Sequence, residues 1–342
     1  MAALPKPNYL MANKVKDYVA LFPGTFKFKN TWRPTQMLGL EFEVEGANLP
    51  SQEDLRFYWN KVGDGSLRGE AGEYVLRTPN SSSYFLTKSF PYLLRAFNKK
   101  NSKVTMSVRC STHVHVNVHG LYGYQVVFLA MLYYMYEETF LKLVHKDRKG
   151  NLFCLGASDF TGGFADLLVK SVENADCFLS IINNEGNKYS AVNFCTIRKF
   201  GTLEFRALHG TLDKTEVTNW VKLLLSLYTE ASKIVPANMA SYLDEVSIAS
   251  PSGNLERVLA DHPEIYRLLV ERAGSTREID NLFYKNIANI QTVFYMPAWH
   301  QLELGIKRPP EYFKTKKMDE FVNPFGAGVP IEERIRLEGH VR

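Results

Sequence analysis

Sixteen residues, VTMSVRCSTHVHVNVH from Val104 to His119, alternate in character without interruption. Val104, Met106, Val108, Cys110, Thr112, Val114, Val116 and Val118 fall on one parity; Thr105, Ser107, Arg109, Ser111, His113, His115, Asn117 and His119 fall on the other. Period two is the signature of a β-strand with one apolar and one polar face, and the valine content suits it. The run is long for one strand, which predicts a bulge or bend near Cys110-Ser111-Thr112. Three histidines, an arginine and an asparagine in line are not the lysine, glutamate and threonine of a solvated sheet. Such a face lines a site.

Two more strands carry the same division of labour. In Met37–Glu45, Leu38, Leu40, Phe42 and Val44 share one face and Glu41, Glu43 and Glu45 the other. In Gly201–His209, Thr202, Glu204, Arg206 and Leu208 share one face and Leu203, Phe205, Ala207 and His209 the other. Further strands are expected at Glu73–Leu76 and Lys188–Phe194. Helices are expected as a short turn after Ser51, over Ser82–Asn98 with a kink at Pro91, over Tyr122–His145, over Ser158–Glu173, and from Lys214 to about Lys233. The last begins with Asp213 and Glu216 at capping-box spacing and Leu212 with Val217 as a staple. The fold expected is α+β, an antiparallel sheet lining the site with helices outside it. The divisions expected are an arm at 1–36, a catalytic domain at 37–235, a helical region at 236–304 and a charged tail at 305–342.

Residues i and i+2 on a strand lie about 7 Å apart. Glu41 and Glu43 at that spacing serve two neighbouring ions more naturally than one. With His113, His115 and Glu204 they form a carboxylate-rich set suited to Mg²⁺ or Mn²⁺. A buried cluster of this charge needs cations. Each piece also has a plain reading: Glu41/Glu43 as a solvated sheet face, His113/His115 as strand surface, Glu204/Arg206 as a cross-paired ion pair. Their joint occurrence on three strands, each opposite an apolar stripe, favours a site.

The ordered set GLEFE at 39–43, DGS at 64–66, Glu73, HVHVN at 113–117, Lys188-Tyr189 with Asn193, and GTLEFR at 201–206 followed by TLD at 211–213 resembles the amidoligases. These are often phage-encoded relatives of glutamine synthetase and glutamate–cysteine ligase. The resemblance spans roughly residues 37–232. It implies an antiparallel sheet curved around the active site, ATP as cofactor with two or three divalent ions, and phosphorylation of a carboxylate that an amine then attacks. It also implies roles. Glu41, Glu43, Glu73, His113 and Glu204 match metal ligands. His115 matches the histidine that approaches the nucleotide phosphates, and Arg206 the arginine that stabilises the transferring phosphoryl group. Lys188 stands where the family commonly has arginine, with Arg198 as a nearby substitute; Asn193 completes that nucleotide-side set. Asp64 and Ser66 match a recurrent turn assigned to the amine side, or serve as a plain Asx turn. The partners implied are a carboxylate and an amine.

Competing readings are a small-molecule guanidino-type kinase on a related fold, a cupin-like metal oxygenase using His113 and His115, and a non-catalytic phage binding or virion protein. No glutamate follows the histidine pair at cupin spacing. A net charge of +5 lacks the dense basic stripe of a nucleic-acid protein. The apolar run Val126–Tyr136 is too short to span a bilayer. Four cysteines at 110, 154, 177 and 195 show no zinc spacing and fit a reducing compartment. A cytoplasmic protein is expected, in the host cell if phage-encoded. The oligomeric state stays open.

Overall fold

The computed structural model describes residues 14–15, 37–55, 57–151, 153–156, 181–183, 188–235, 242, 245–246 and 250–294. Strands β1 (Met37–Ala47), β2 (Trp59–Val62), β3 (Ala71–Leu76) and β4 (Asn80–Ser81) come first. Helix α1 (Phe90–Lys99) follows them. Then come β5 (Lys103–Thr105), β6 (Ser111–Asn117), α2 (Gly123–Met135) and α3 (Glu137–Phe140). After the segment around 157–180 the chain continues with β7 (Val192–Asn193), α4 (Cys195–Phe200), β8 (Thr202–His209) and α5 (Lys214–Lys233). Helices α6 (Pro251–Val258), α7 (Pro263–Ala273) and α8 (Thr276–Phe294) complete it.

The strands form one eight-stranded antiparallel sheet in the order β2-β3-β1-β6-β8-β7, with β4 and β5 also pairing with β1. The α+β architecture expected from the sequence is therefore present. One face carries Leu38, Leu40, Phe42, Val44, Val114, Val116, Leu203 and Phe205, all buried. Phe42 stacks on Phe90 at 5.1 Å and meets Trp59 edge-on at 5.5 Å. Burying such a ring is worth about 1.5–3 kcal/mol. Helix α2 is buried on every side, the pattern of a central helix. Tyr133 meets Phe205 of the sheet at 5.3 Å, while α5 and α8 pack against α2.

Several expectations change in detail. The histidine strand is two strands, β5 and β6, both paired with β1. Between them a turn closes with the Cys110 N–H donating to the Ser107 carbonyl at 3.0 Å. Val108 leaves the apolar face and is exposed there. Helix 82–99 is continuous in direction but steps through a π-turn at Phe85–Ser89, where the Phe90 N–H reaches the Phe85 carbonyl; Pro91, lacking an N–H, sits just after it. The long apolar helix ends at Met135: Tyr136 leaves helical geometry (φ −106°, ψ 8°), and its hydroxyl donates to the Pro251 carbonyl at 2.8 Å. The strand at Lys188–Phe194 shrinks to Val192–Asn193, and α4 begins at Cys195.

The cap of α5 is as expected at Asp213, whose carboxylate accepts from the Thr215 and Glu216 N–H groups. Glu216 does not close a capping box; its carboxylate takes the Thr211 hydroxyl at 2.6 Å. Val15 of the amino-terminal segment donates its N–H to the Leu121 carbonyl at 2.8 Å. The helix expected at 158–173 and the tail at 305–342 lie outside the described residues. No helix among the described residues is long and apolar enough to cross a membrane.

Candidate active site

Register builds the site. Pairing of β1 with β6 sets Glu41 opposite His113 and Gly39 opposite His115; pairing of β6 with β8 sets His115 opposite Glu204. Pairing of β1 with β3 sets Glu43 opposite Glu73, and β7 brings Asn193 opposite Glu204. Opposed residues share a face, so these groups converge on the face opposite the apolar one. Gly39 matters here: a Cβ would come within 3.2 Å of the His115 Cβ. Gly201, which ends α4 at φ +66°, is also required, since a Cβ there would strike the His119 ring at 2.0 Å.

A bulge places the arginine. Thr112 pairs with Leu208 and Val114 with Phe205, so His113 faces two residues, Arg206 and Ala207. The extra residue flips the alternation beyond it. Leu208 therefore turns into the core, 1% exposed, and does not share the face of Glu204 and Arg206 as the sequence pattern suggested. Arg148 holds this bulge from behind. Its Nη2 donates to the Arg206 carbonyl at 2.6 Å and its Nε to the Ala207 carbonyl at 3.3 Å.

The side chains form one network. His113 Nδ1 lies 3.2 Å from Glu41 Oε2 and 3.2 Å from Glu204 Oε1. His115 Nε2 lies 3.2 Å from Glu41 Oε1, and its Nδ1 lies 3.1 Å from the Thr202 hydroxyl. Arg206 Nη1 donates to Glu204 Oε1 at 2.6 Å, and its Nε to the Phe153 carbonyl at 3.2 Å. Asn193 Nδ2 donates to Glu204 Oε2 at 2.6 Å. Ser111 joins Glu43 to His113. Two groups of three, Glu41–His115–Glu204 and Glu41–Glu73–His113, each bring their ligand atoms within 4.8 Å of one another.

Charge is concentrated beyond what burial tolerates. Burial, with the Glu41 charge next, pushes the Glu73 carboxyl up to about 9, and Glu43 and Asp64 add to it. Burial would also raise Glu41, but the charges and hydrogen bonds of His115 and His113 outweigh it and hold Glu41 well below the usual carboxylate range. Burial would lower His115, yet Glu41 outweighs it and the imidazole is raised. His115 Nε2 is buried and faces the Glu41 carboxylate. A buried imidazole nitrogen turned to a carboxylate, and a neighbouring carboxyl that retains its proton, suit a hard divalent cation.

Of the residues singled out in the sequence, Glu41, Glu43, Glu73, His113, His115, Asn193, Glu204 and Arg206 come together. Asp64 lies near enough for its charge to act on Glu73, and its carboxylate accepts the Ser66 N–H at 2.7 Å in an Asx turn. The Ser66 carbonyl accepts from Arg109 Nη1 at 2.9 Å. Lys188 and Arg198 are both exposed, Lys188 over the Tyr189 ring at 4.8 Å and Arg198 near Asn183 at 3.5 Å. Two residues escaped the reading as site components, while Arg109 was read only as part of the site-lining face. Ser111 was visible on the polar parity, but a serine there has no distinguishing pattern. Arg148 sits in the charged run HKDRKG, which looks like a solvated turn.

No curated protein matches the chain. Residues 88–228 match the family described as "Putative amidoligase enzyme", an enzyme family of ligase type. That stretch carries β6, β7 and β8, hence His113, His115, Asn193, Glu204 and Arg206.

Proposed function

We propose that this protein is an ATP- and Mg²⁺-dependent ligase that joins a carboxylate to an amine through an acyl phosphate. The observation that carries this reading is the pair of overlapping ligand groups sharing Glu41, with Arg206 at their edge. Glu41, Glu43, Glu73, His113, His115 and Glu204 would hold two or more ions, Mg²⁺ or Mn²⁺. When bound, such ions neutralise phosphate charge and polarise the transferring phosphoryl group. The family's ligase description supports amide formation over the other chemistries open to this fold.

The chain's own residues do the remaining work. Phosphoryl transfer depends on positioning and charge neutralisation. Arg206 is fixed by Glu204 and the Phe153 carbonyl, so its guanidinium is oriented before substrate arrives. A planar fork of donors then meets charge developing on the phosphoryl oxygens. Arg109, between the Ser66 carbonyl and the Phe153 ring at 5.9 Å, joins the loop at 64–66 to the neighbourhood of Arg206. That loop is our choice for the amine side, with Asp64 as the group that receives a proton from the attacking amine. Phe200, 46% exposed and 6.1 Å from His115, offers a stacking face for the nucleotide base. In this reading Lys188 and Arg198 take a peripheral role at most in phosphate binding.

The test is product analysis. The protein is incubated with ATP, Mg²⁺ and a pool of amino acids and short peptides, and products are weighed by mass spectrometry. The expected product has the mass of two components less one water, with ADP and phosphate released. Glu204→Gln should lower its formation at least about 100-fold, as expected for lost charge stabilisation at a reacting centre. A phosphorylated small molecule with no amide would replace this reading with that of a kinase.

A further inference from the structure

Ser111 is buried at the start of β6, 1% exposed. Its N–H donates to Glu43 Oε2 at 2.8 Å, and its hydroxyl makes a short hydrogen bond to the same oxygen. The same hydroxyl oxygen lies 2.6 Å from His113 Nε2. A serine hydroxyl has one proton and two lone pairs. Given to Glu43, that proton is no longer available to the imidazole. The reverse arrangement would turn a serine lone pair onto a carboxylate oxygen at hydrogen-bonding distance, an uncompensated repulsion in a buried place. So Nε2 must carry a proton and donate it to Ser111. Glu43 Oε1, 3.8 Å from Nε2, favours the same proton.

The other nitrogen has the opposite surroundings. Nδ1 is 3.2 Å from Glu41 Oε2, 3.2 Å from Glu204 Oε1 and 3.5 Å from Arg206 Nη1. A bare lone pair facing two carboxylate oxygens is unfavourable, so either a second proton or a divalent cation stands between them. The hydrogen bond at one ring nitrogen thus decides what the other presents.

We propose that Ser111 is the positioning residue of this centre: it keeps His113 Nε2 protonated and so presents Nδ1 as the atom that ligates a divalent cation shared with Glu41. This deepens the metal centre of the proposed function and rests on that reading. The two histidines then use opposite nitrogens, His113 its Nδ1 and His115 its Nε2, which faces Glu41 Oε1 at 3.2 Å. The serine does so without touching the cation.

The experiment uses full-length protein labelled with ¹⁵N-histidine. Two-bond ¹H–¹⁵N correlation spectra are recorded without metal and with saturating Mg²⁺, and His113 is assigned by comparison with His113→Gln. The expected result is a proton on Nε2 in both spectra, with Nδ1 proton-free and shifted when Mg²⁺ is present. Loss of the Nε2 proton on adding Mg²⁺ would overturn the proposal while leaving the metal centre in place. No response of either histidine to Mg²⁺ would overturn the metal centre, and this proposal with it. Mn²⁺ binding, read by electron paramagnetic resonance of the free ion, gives a second measurement. Ser111→Ala should weaken it about 10- to 100-fold, and Ser111→Thr should restore it. A folded Ser111→Ala protein with full Mn²⁺ affinity and an unchanged Nε2 proton would remove the role. If Ser111→Ala does not fold, the wild-type spectra alone decide.

Discussion

Glu73 shows at the scale of one residue why this sheet face is not simply a polar surface. It faces Glu43 across the β1–β3 pair and hydrogen-bonds to Glu41, and its carboxyl is pushed up to about 9. The unfolded chain would ionise this group near its ordinary value of 4.5. Between those values the native state holds a proton that the unfolded state lacks. Raising the pH through that window therefore favours unfolding, and the loss levels off above the native value. Metal-free protein should show a melting temperature that falls from pH 5 to pH 9. Glu73→Gln, which cannot ionise, should flatten that fall. A profile identical in wild type and variant would contradict the charge account of Glu73. Divalent ions should act like the proton they replace, with the largest stabilisation at the alkaline end.

At the scale of elements, β1, β6 and β8 were legible because each alternates strictly, and alternation states which residues share a face. Glu41, Glu43, His113, His115, Glu204 and Arg206 were found that way. What alternation cannot show is where it breaks. Leu208 was put on the wrong face because one apolar residue on the polar parity at a strand end does not by itself announce the bulge at Arg206–Ala207. The helix at Gly123–Met135 was overextended because Tyr136 is as apolar as its neighbours, and the residue types carry no mark of its departure from helical geometry. Arg148 was missed for a related reason, since its partners are the carbonyls of that bulge. A lysine has no fork to reach both carbonyls. Arg148→Lys should therefore cost about 1.5–3 kcal/mol, the worth of a hydrogen bond to a charged donor, in urea denaturation. It should also loosen Arg206. Unchanged stability would mean that the bulge holds itself.

For the whole molecule, the carboxy-terminal helices belong physically with the sheet. Phe283 of α8 lies 5.1 Å from Tyr136, and both are buried. Asn286 donates its side-chain amide to the Tyr134 carbonyl. These contacts cover the side of α2 that the sheet leaves open. Phe283→Ala should lower stability by about 3–5 kcal/mol while the described structure still unfolds in one transition; two separate transitions would indicate that the helices fold independently. The central claim, that the polar face of the sheet is a joint site for nucleotide and metal, is tested most directly by thermal unfolding with ATP and Mg²⁺, alone and together. A ligand that binds only the native state stabilises it by about 2.7 kcal/mol at a hundredfold excess over Kd. The account predicts a rise in melting temperature that needs both ATP and Mg²⁺ and disappears in Glu204→Gln. No shift with any nucleotide or divalent ion, or a full shift in Glu204→Gln, would contradict it.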